Sequence, residues 1–535
     1  MKQINPFSNE LAIKAYRKLF KPEFKYYSSF FKSIEATTSR KGKILMYVGI
    51  GDMFLSPVEM AMYHLLKSKG YEVDYLIYDE TIPINEVITK ERVITQGKDV
   101  FWNKSVKKAQ KNLVAAQIDY AVINVNSEIE VLIKDLKDTE SIFKFHYDGV
   151  DFGDIVKGVM FRYYKSLKFG SDSFEVAKKF LITSLTNYFK VRELNTLNKY
   201  DYVLFSHGIY CTWQPVVSYC KKNNIPFVCY DRAKVKGECN FNLNVPSPVW
   251  DISAAWERLK NYNLNTEELN RVGNYLKERE LQKGDVYSYN FSEKESDIAA
   301  LKEKLNIASN ATVITVFTNL IWDAANVSRD IAFSSPLDCI KKTIDYYLDK
   351  KDVHIIIRSH PAEKVLGTKE RYGELVRGLF ENELPTNVTI IEPEQNINSF
   401  SVLELSDIGI VHTSTVGLEM AIEGKPVILI SETHYRDKGF TYDALSESDY
   451  FSKLDNLIAT KELMPNQIEL AKKYFYLMMF EYQQKMPMTF TDKGVFNGYG
   501  YKNFEELRND SNSPINRILD RICNKNTFEF FIFKN

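Results

Sequence analysis

Two short polar segments of this 535-residue chain combine side chains that bind anions. The first is Arg358-Ser359-His360-Pro361, and the second is His412-Thr413-Ser414-Thr415. A guanidinium group can bind a phosphate bidentately, an imidazole can donate to a phosphate oxygen, and hydroxyl groups add further hydrogen bonds. A helix that begins at the second segment would also present unpaired backbone N–H groups, which favour an anion. The two segments therefore predict a site for a phosphate-containing ligand.

An apolar run precedes each segment, and its composition is typical of a buried parallel strand. These runs are Val353–Ile357 and Ile408–Val411. Ligands of open α/β sheets bind beyond the carboxyl ends of the strands, so both segments are expected at the ligand-binding edge. Three neighbouring residues complete the predicted site: Pro361 fixes the turn, Gly417 lets the backbone approach the ligand, and Glu419 can accept two ribose hydroxyl groups.

Strand and helix patterns alternate along two long stretches of the chain, as in α/β proteins. In the first stretch, the strand Lys43–Gly49, the helix Pro57–Leu66 and the strand Gly70–Tyr78 form a βαβ unit, and further strands are predicted at 120–124, 202–206 and 226–230. In the second stretch, strands are predicted at 313–317, 353–357, 388–391, 408–411 and 426–430, with helices at 336–348, 369–380, 399–405 and 416–422. The predicted fold class is α/β, with two Rossmann-like doubly wound domains that face a cleft.

Composition along the chain sets the predicted domain boundaries. Residues 41–257 form the first domain, and residues 311–462 form the second domain, which contains both phosphate-binding segments. Residues 258–310 are polar and charged, so they are predicted to be a helical connection between the domains. Residues 463–535 are predicted to form a helical C-terminal tail, and residues 1–40 form a separate helical segment.

The overall charge of the chain is balanced. Lys and Arg number 70, Asp and Glu also number 70, and the formal net charge is +0. Such a chain lacks the basic field that attracts nucleic acid, so no nucleic-acid partner is expected and any anion site must be local. The six cysteines form no CxxC pair, which argues against a zinc site and against a disulfide framework. A reducing cytoplasm is the expected compartment.

The N-terminal segment is basic and aromatic. Residues 1–40 contain eight Lys or Arg and three Asp or Glu, interleaved with Tyr16, Phe20, Phe24, Tyr26, Tyr27, Phe30 and Phe31. A helix of this kind either lies on an anionic membrane surface or packs on the first domain. No apolar run reaches the roughly 20 residues that span a bilayer. The expected location is therefore the cytoplasm, and membrane contact through residues 1–40 would place the protein at the inner face of the cytoplasmic membrane.

The turn Gly49-Ile50-Gly51-Asp52 is a weaker signal. It lacks the third glycine of a dinucleotide fingerprint, so a nicotinamide cofactor is not predicted. The glycines are expected to let a substrate approach the backbone. Asp52 is then either a general base or the N-cap of the following helix.

The segments around the two strand ends resemble the C-terminal nucleotide-binding half of bacterial capsule polysaccharide biosynthesis proteins. The resemblance rests on Arg358–Glu363, Ser406–Glu419, Gly424–Val427 and the pattern Tyr435-x-x-x-Gly439-Phe440-Thr441, and it covers about residues 310–445. That family includes the capsular Kdo transferases, which are glycosyltransferases of the GT-B fold. Bacterial sialyltransferases and teichoic-acid glycerophosphotransferases have a similar His-Pro and Ser/Thr pair. The first domain is similar in its expected architecture only.

The resemblance implies a nucleotide-sugar donor site in the second domain. His360, Ser414 and Thr415 would hold the donor phosphate, and Glu419 would bind ribose or orient the donor. The full implied set is Arg358, His360, Pro361, Glu363, His412, Thr413, Ser414, Thr415, Gly417 and Glu419. Donors of the family are CMP-, CDP- or UDP-linked and act as substrates, so no cofactor is expected. No DxD sequence stands at a strand end, consistent with metal-independent transfer, in which fixed cations and helix N-termini stabilise the leaving phosphate.

The group that deprotonates the acceptor hydroxyl is expected in the first domain. The candidates are Asp52, His146, Asp148, Asp151 and His207. His146, Asp148 and Asp151 gather one imidazole and two carboxylates within six residues, and His207 directly follows a predicted strand. Each of these residues is either a catalyst or a polar loop residue with ordinary hydrogen bonds.

Other charged and aromatic residues follow strands that should end at the cleft. Arg232 ends one of these strands, and Lys234 and Lys236 follow it, where they either bind an anionic acceptor or cap a turn. Trp322 and Asp323 follow the first strand of the second domain. Arg232, Trp322 and Asp323 are therefore candidate cleft contacts.

The function expected from these observations is transfer of a sugar from a CMP- or UDP-linked donor to a capsule- or lipopolysaccharide-type surface glycan, or to a lipid-linked glycan. Two alternatives on the same fold are a polyol-phosphate transferase, as in teichoic-acid synthesis, and a nucleotide-sugar epimerase. A third alternative is a non-catalytic factor of polysaccharide assembly that keeps the nucleotide site as structure only.

Overall fold

The computed structural model describes residues 21–32, 41–51, 55–91, 93, 98–235, 237–281, 293–295, 297–323, 327–460, 463–491 and 496–524. The strands in chain order are β1 (Gly42–Gly49), β2 (Tyr71–Tyr78), β3 (Ala121–Ile123), β4 (His146–Tyr147), β5 (Val150–Asp151), β6 (Tyr202–Ser206), β7 (Phe227–Arg232), β8 (Glu238–Leu243), β9 (Thr312–Phe317), β10 (Val353–Arg358), β11 (Val388–Ile391), β12 (Ile408–Val411), β13 (Val427–Leu429), β14 (Tyr442–Asp443), β15 (Gln484–Lys485), β16 (Met488–Phe490) and β17 (Phe496–Tyr499).

The α-helices in chain order are α1 (Lys21–Phe30), α2 (Leu55–Ser68), α3 (Lys98–Ala115), α4 (Glu128–Leu132), α5 (Thr139–Phe143), α6 (Phe152–Tyr164), α7 (Ser173–Asn198), α8 (Tyr210–Lys222), α9 (Ser253–Leu259), α10 (Thr266–Glu280), α11 (Ile298–Lys304), α12 (Pro336–Tyr346), α13 (Ala362–Leu366), α14 (Tyr372–Gly378), α15 (Ser399–Leu405), α16 (Val416–Ile422), α17 (Glu447–Thr460), α18 (Gln467–Tyr476), α19 (Phe504–Asn509) and α20 (Pro514–Asn524). A 3₁₀ turn covers Ser247–Val249, and a π-helical turn covers Leu477–Glu481.

A seven-stranded sheet in the order β15-β8-β7-β6-β1-β2-β3 forms the first domain. The strands from β3 to β7 pair in parallel, and the order reverses between β1 and β6, as in a doubly wound sheet. Helices cover both faces, so successive residues of β1 enter opposite cores: Leu45 and Tyr47 enter one, and Ile44 and Met46 enter the other. This two-sided burial explains why the strand is continuously apolar in sequence.

Two antiparallel strands extend this sheet beyond β7, and the sequence analysis predicted neither. Within β8, Asn240 and Asn242 are buried, which is an unusual composition for a strand. Each amide oxygen accepts a hydrogen bond, from Ser247 in one case and from Tyr482 at 2.7 Å in the other. Ser247 is close in sequence but Tyr482 is distant, and two polar asparagines within the segment did not indicate a strand.

A six-stranded sheet in the order β11-β10-β9-β12-β13-β14 forms the second domain. All of its neighbouring strands are parallel, and the order, numbered within the domain, is the 3-2-1-4-5-6 order of Rossmann domains. Every residue of β9 and β10 is buried. The predicted fold class, two Rossmann-like domains that face a cleft, is confirmed.

The segment between the two sheets packs on the second domain. Trp256, Tyr275 and Leu301 are buried in the same apolar core as Phe317 of β9. Each of these few apolar residues lies on the side of its helix that faces the core. Average composition does not reveal such a pattern. The described part of residues 258–310, which were predicted to be a connection, therefore packs with the second domain.

The C-terminal region returns to the first domain. After the π-helical turn Leu477–Glu481, β15 pairs with β8, and the hairpin β16–β17 and the helices α19 and α20 follow. Tyr499, Phe504 and Leu519 are buried in a core shared with α2 of the first domain. The tail is thus helical in large part, as predicted, and it also contains three short strands that the sequence analysis did not predict.

The helix α1 packs on this C-terminal region. Phe30 stacks on Tyr499 with ring centroids 4.4 Å apart, and Phe31 stacks on His64 at 4.6 Å. Tyr27, Phe30 and Phe31 are buried, so these three rings face the domain and not a membrane. The rest of the predicted membrane-contacting segment, residues 1–20 and 33–40, lies outside the described residues. Among the described helices, none is both long and apolar enough to cross a bilayer.

We expect Phe31→Ala to destabilise the first domain strongly, because Phe31 is completely buried between α1, α2 and the C-terminal region. Removal of a buried phenylalanine costs about 3–5 kcal/mol in the free energy of unfolding. Urea denaturation followed by tryptophan fluorescence measures this loss, and Lys32→Ala, next to it and exposed, serves as the control. A loss below about 1 kcal/mol for Phe31→Ala would contradict the shared core.

Candidate functional site at the cleft between the two domains

The predicted phosphate-binding segments lie on both sides of β9, where the strand order of the second sheet reverses. β10 and β12 both pair with β9, so His360 and Thr413 follow strands whose ends are about 10 Å apart. Residues after β9 bridge this gap: the Thr318 hydroxyl accepts the backbone N–H of His360 at 3.1 Å, and Asn319 Nδ2 donates to Thr413 Oγ1 at 2.8 Å. The sequence analysis missed Thr318 and Asn319, although they directly follow a predicted strand.

The His360 ring is held as a neutral hydrogen-bond donor. Its Nδ1 accepts the backbone N–H of Ala362 at 3.1 Å, which leaves the ring proton on Nε2. Burial, and then the charge of Arg358, lower the pKa of His360 to about 4. At neutral pH the imidazole therefore carries no charge and presents one N–H, which suits it to donate to a phosphate oxygen.

The Arg358 guanidinium turns away from the predicted ligand site. It is buried at the end of β10 and donates to the carbonyl oxygens of Ile397 at 3.0 Å and Glu392 at 3.3 Å, and to Ser399 Oγ at 3.3 Å. These bonds fix the loop between β11 and α15. The geometry contradicts the predicted phosphate contact of Arg358 and assigns it a structural role, because its donors already satisfy backbone groups that would otherwise be buried without partners.

Partners from both domains fix the segment His412–Thr415. His412 Nε2 lies 3.0 Å from the Asp330 carboxylate in the second domain. Lys234 of the first domain donates from Nζ to Thr415 Oγ1 at 3.1 Å. The helix α16 that follows has only seven residues, so its dipole alone contributes little to anion binding. The hydroxyl groups and the Lys234 ammonium are therefore the groups in this segment that could bind an anion.

Two predictions for α16 need correction. A Cβ atom at Gly417 would lie 2.5 Å from the hydroxyl of Tyr435, which donates to the Ser414 carbonyl at 2.6 Å. The glycine thus permits a close tyrosine contact, and not the approach of a ligand to the backbone. The Glu419 carboxylate pairs with Arg279 of α10, so a ribose contact of Glu419 would have to share or replace this ion pair.

Three further residues that were predicted to contact a ligand are Pro361, Glu363 and Trp322. Pro361 stands directly before α13, and Trp322 is buried and donates from Nε1 to Thr368 Oγ1 at 2.8 Å. The Glu363 side chain is completely buried; Oε1 accepts the N–H of Tyr372 at 3.2 Å, and Oε2 has no partner among the described residues. Burial raises the pKa of Glu363 to about 7. Ligand contacts predicted for these residues are replaced by packing contacts.

His207 occupies the corresponding position in the first domain, at the reversal of strand order between β1 and β6. It has a φ of 61° and stacks on Tyr210 with ring centroids 5.1 Å apart. Burial, and then Arg162, lower the pKa of His207 to about 3, so the ring is a poor proton acceptor at neutral pH. Asp323 of the second domain and Arg232 also influence this pKa, which places both predicted cleft contacts close to His207.

The glycine turn after β1 packs against helices. A Cβ atom at Gly49 would lie 2.7 Å from the Thr212 side chain of α8, and one at Gly51 would lie 2.7 Å from Ala109 of α3. These glycines therefore permit close packing of helices on the sheet, and the prediction that they admit a substrate is wrong. Asp52 lies outside the described residues.

Asp148 lies far from His207. Its carboxylate pairs with Lys222 and accepts the Tyr188 hydroxyl at 2.7 Å, and these two contacts lower the pKa of Asp148. Lys222 and Tyr210 are the two ends of α8, a 13-residue helix about 18 Å long. The structure therefore does not bring Asp148 and His207 into one site, and the lowered pKa argues against Asp148 as the general base.

A carboxylate that the sequence analysis missed does reach the cleft. His146 Nε2 lies 3.2 Å from the Asp151 carboxylate on the exposed β4–β5 hairpin, and Asp151 caps α6 by accepting the N–H of Asp154 at 2.9 Å. Neither His146 nor Asp151 lines the cavity between the domains, but Asp154 does. Burial, and then Asp151, raise the pKa of Asp154. The available signal was its place three residues after the candidate Asp151, in the first turn of α6.

The cavity measures 680 Å³ and is lined by both domains. Its first-domain wall consists of α6 and the start of α8 and includes Asp154, Gly158, Tyr210 and Gln214. Its second-domain wall includes Arg329, His434, Arg436 and Lys438. Within the described ranges, no group of three His, Cys, Asp or Glu side chains could hold a metal ion. The absence of a metal from the reaction stays a prediction.

Comparison with known proteins gives one family match. The family model of capsule polysaccharide biosynthesis proteins matches residues 260–465, which confirms the resemblance that the two strand ends predicted. No match to the chain was found among curated proteins.

Solved structures are similar at low identity. The β-Kdo 2,4 transferase KpsC of Thermosulfurimonas dismutans is 14% identical, with a TM-score of 0.35, over 54% of this chain and 82% of that chain. A UDP-GlcNAc 2-epimerase of Neisseria meningitidis bound to UDP-GlcNAc is 12% identical, with a TM-score of 0.25, over 80% and 94%. A glycosyltransferase of Rickettsia africae is 12% identical, with a TM-score of 0.27, over 83% and 95%.

We expect Glu363→Gln to change how stability depends on pH. An unfolded glutamate ionises near pH 4.3, whereas the buried Glu363 keeps its proton up to about pH 7. The folded state therefore binds more protons in this window, and its stability falls as the pH rises from about 4.5 to 7. The variant should lack that part of the decline. Thermal unfolding of both proteins between pH 5 and 7.5 tests this, with the exposed Glu374→Gln as the control; parallel profiles for all three proteins would contradict it.

Proposed function

We propose that this chain, which carries a capsule polysaccharide biosynthesis domain at residues 260–465, is a glycosyltransferase that uses a nucleotide-sugar donor and a surface-glycan acceptor. One observation carries this proposal. The ends of β10 and β12, about 10 Å apart, are followed by an imidazole and by hydroxyl groups in the second domain, and the cavity between the domains has a carboxylate with a raised pKa, Asp154, on its first-domain wall. A proton acceptor in one domain and a phosphate site in the other are the two elements that sugar transfer requires.

In this proposal the second domain holds the donor phosphate. His360 donates from Nε2 to a phosphate oxygen, and Thr413, Ser414 and Thr415 add hydroxyl and backbone N–H donors. Thr318 and Asn319, which follow β9, hydrogen-bond to His360 and Thr413. The phosphate-binding donors therefore keep fixed positions while negative charge develops on the leaving phosphate. Fixed donors of this kind stabilise a developing charge without reorganisation, and we propose that they act in place of a metal ion.

The first domain then positions the acceptor. Asp154 takes the proton of the attacking hydroxyl group, and it suits this task because burial raises its pKa above that of an exposed aspartate. We propose that this reaction takes place in a reducing compartment. All six cysteines lie within the described residues and are free thiols, which supports a cytoplasmic location.

A nucleotide-sugar epimerase and a polyol-phosphate transferase remain the alternative enzymes on this fold. An epimerase needs no acceptor and releases a sugar nucleotide with changed stereochemistry. A polyol-phosphate transferase releases CMP from a CDP-linked polyol and not from a sugar nucleotide. A non-catalytic assembly factor would release no nucleotide at all. The products formed from a donor panel therefore separate all four functions.

We expect the purified protein to release nucleotide slowly from one sugar donor in the absence of acceptor, because water can replace the acceptor hydroxyl. CMP-, CDP-, UDP- and GDP-linked sugars and a CDP-linked polyol should be incubated with the protein and the products separated by anion-exchange chromatography. Bound nucleotide should also raise the melting temperature, since a ligand that binds only the folded state stabilises it. Absence of both effects with every donor would refute the proposal, and a sugar nucleotide with inverted configuration would favour the epimerase.

Two substitutions should distinguish the proposed role of His360 from that of Asp154. His360→Ala should lower transfer about 100-fold, because it removes a donor to the leaving phosphate. Asp154→Asn should lower transfer by a similar factor and leave the nucleotide-induced rise in melting temperature unchanged, because the acceptor wall does not touch the nucleotide. Asp119→Asn, at an exposed position of the same domain that does not line the cavity, serves as the control for Asp154. Wild-type transfer by either variant, or loss of nucleotide binding in Asp154→Asn, would contradict the assigned role.

A further inference from the structure

The second domain lacks the cation that its phosphate site was predicted to contain, since Arg358 is committed to the loop after β11. We propose that Lys234 of the first domain is the catalytic cation, and that its ammonium group binds the phosphate that leaves the donor sugar. This inference rests on the proposed glycosyltransferase function. It assigns the first domain a role in donor activation as well as in acceptor binding.

The position of the Lys234 ammonium carries this inference. Nζ lies 3.1 Å from Thr415 Oγ1, in the segment that is predicted to hold the phosphate, and 5.6 Å from the centre of the Trp250 ring. The Thr415 hydroxyl can accept from the ammonium and still donate its own proton to a phosphate oxygen. An ammonium group has three N–H donors, so Lys234 can bind Thr415 and a phosphate oxygen together.

The backbone around Lys234 is fixed at the junction of the two domains. The Gln483 side-chain oxygen accepts the backbone N–H groups of Lys234 at 2.6 Å and Val235 at 3.3 Å. Gln483 is buried, and its Nε2 donates to the Met478 carbonyl at 3.0 Å in the π-helical turn through which the chain returns to the first domain. The lysine is therefore anchored where the C-terminal crossing passes the cleft, and its side chain extends from that point to the second domain.

Other charges converge on the same region. His434 lines the cavity, and after burial the charges of Lys234, Arg329 and Lys438 lower its pKa to about 3. Three cations thus influence one neutral imidazole. Lys234, Arg329 and Lys438 thus concentrate positive charge around His434, and such a concentration favours a ligand that carries phosphate.

The role of Lys234 follows from the charges in the transfer step. The bond between the anomeric carbon and the phosphate oxygen breaks, and its electron pair leaves with the phosphate. A new bond forms between the anomeric carbon and the acceptor oxygen, whose proton passes to Asp154. Negative charge thus develops on the phosphate, and the Lys234 ammonium, which keeps its protons throughout, offsets it. Because Lys234 and Thr415 belong to different domains, this phosphate site is complete only when the domains are in contact.

The test compares nucleotide and nucleoside binding by calorimetry. CMP, UDP, cytidine and uridine are titrated into wild-type protein, Lys234→Ala and Lys234→Arg. We expect Lys234→Ala to weaken the preferred nucleotide about 30-fold and to leave the matching nucleoside within about 2-fold, because only the phosphate touches the lysine. Turnover of the active donor should fall about 100-fold. Lys234→Arg keeps the charge and should recover most of the affinity.

A second lysine provides a matched control. Lys168 of the first domain also crosses to the second domain, where Nζ lies 3.1 Å from the Glu370 carboxylate, and it is not part of the proposed phosphate site. Lys168→Ala should bind nucleotides as wild type does. Equal nucleotide affinity in Lys234→Ala and wild type would overturn the role of Lys234 alone. Equal losses in Lys168→Ala and Lys234→Ala would overturn it too, because the effect would then be one of domain contact. If neither CMP nor UDP binds the wild type, the proposed function fails together with this inference.

Discussion

The site depends on one constraint of the fold. In each sheet, strands pair in parallel on both sides of the point where the strand order reverses. In each sheet, the connections that follow the two strands at this reversal run to opposite sides. They therefore leave a crevice at the carboxyl ends of these strands. Thr318 and Asn319 follow the strand at the reversal in the second sheet, and His207 follows the strand at the reversal in the first. The polar groups that follow these strands therefore lie at the edge where ligands of open α/β sheets bind.

Two of the contacts between the domains differ in character. On one side, Lys234 reaches Thr415, and Gln483 anchors the lysine backbone. On the other side, the Glu370 carboxylate accepts the Ser166 hydroxyl at 2.6 Å and the backbone N–H groups of Leu167 and Lys168. A carboxylate that satisfies three donors of another domain is a strong and directional contact. The relative position of the donor and acceptor walls is therefore set by hydrogen bonds and not by apolar packing alone.

Local sequence pattern predicted the sheets well and the roles of individual side chains poorly. Continuous apolar runs such as Ile408–Val411 identify central parallel strands, because both faces of such strands are buried. The buried asparagines of β8 hide a strand from sequence analysis, and Tyr482, the partner of Asn242, is far away in sequence. Arg358 and Gly417 occupy the predicted strand end and helix start, but their surroundings come from loops whose course no local pattern indicates. Position is thus predictable from periodicity, whereas orientation depends on tertiary neighbours.

The low pKa values of three imidazoles near the cleft also limit which groups there can carry positive charge or accept a proton. His207, His360 and His434 have pKa values lowered to about 3, 4 and 3, chiefly by burial and then by nearby cations. At neutral pH all three are uncharged, so none can supply the positive charge that a phosphate requires, and none is basic enough to take a proton efficiently. In the proposed reaction, positive charge then comes from lysine or arginine, and the proton passes to a carboxylate. This division of tasks is why Lys234 and Asp154, which are less conspicuous in sequence than the histidines, are the more informative residues of the site.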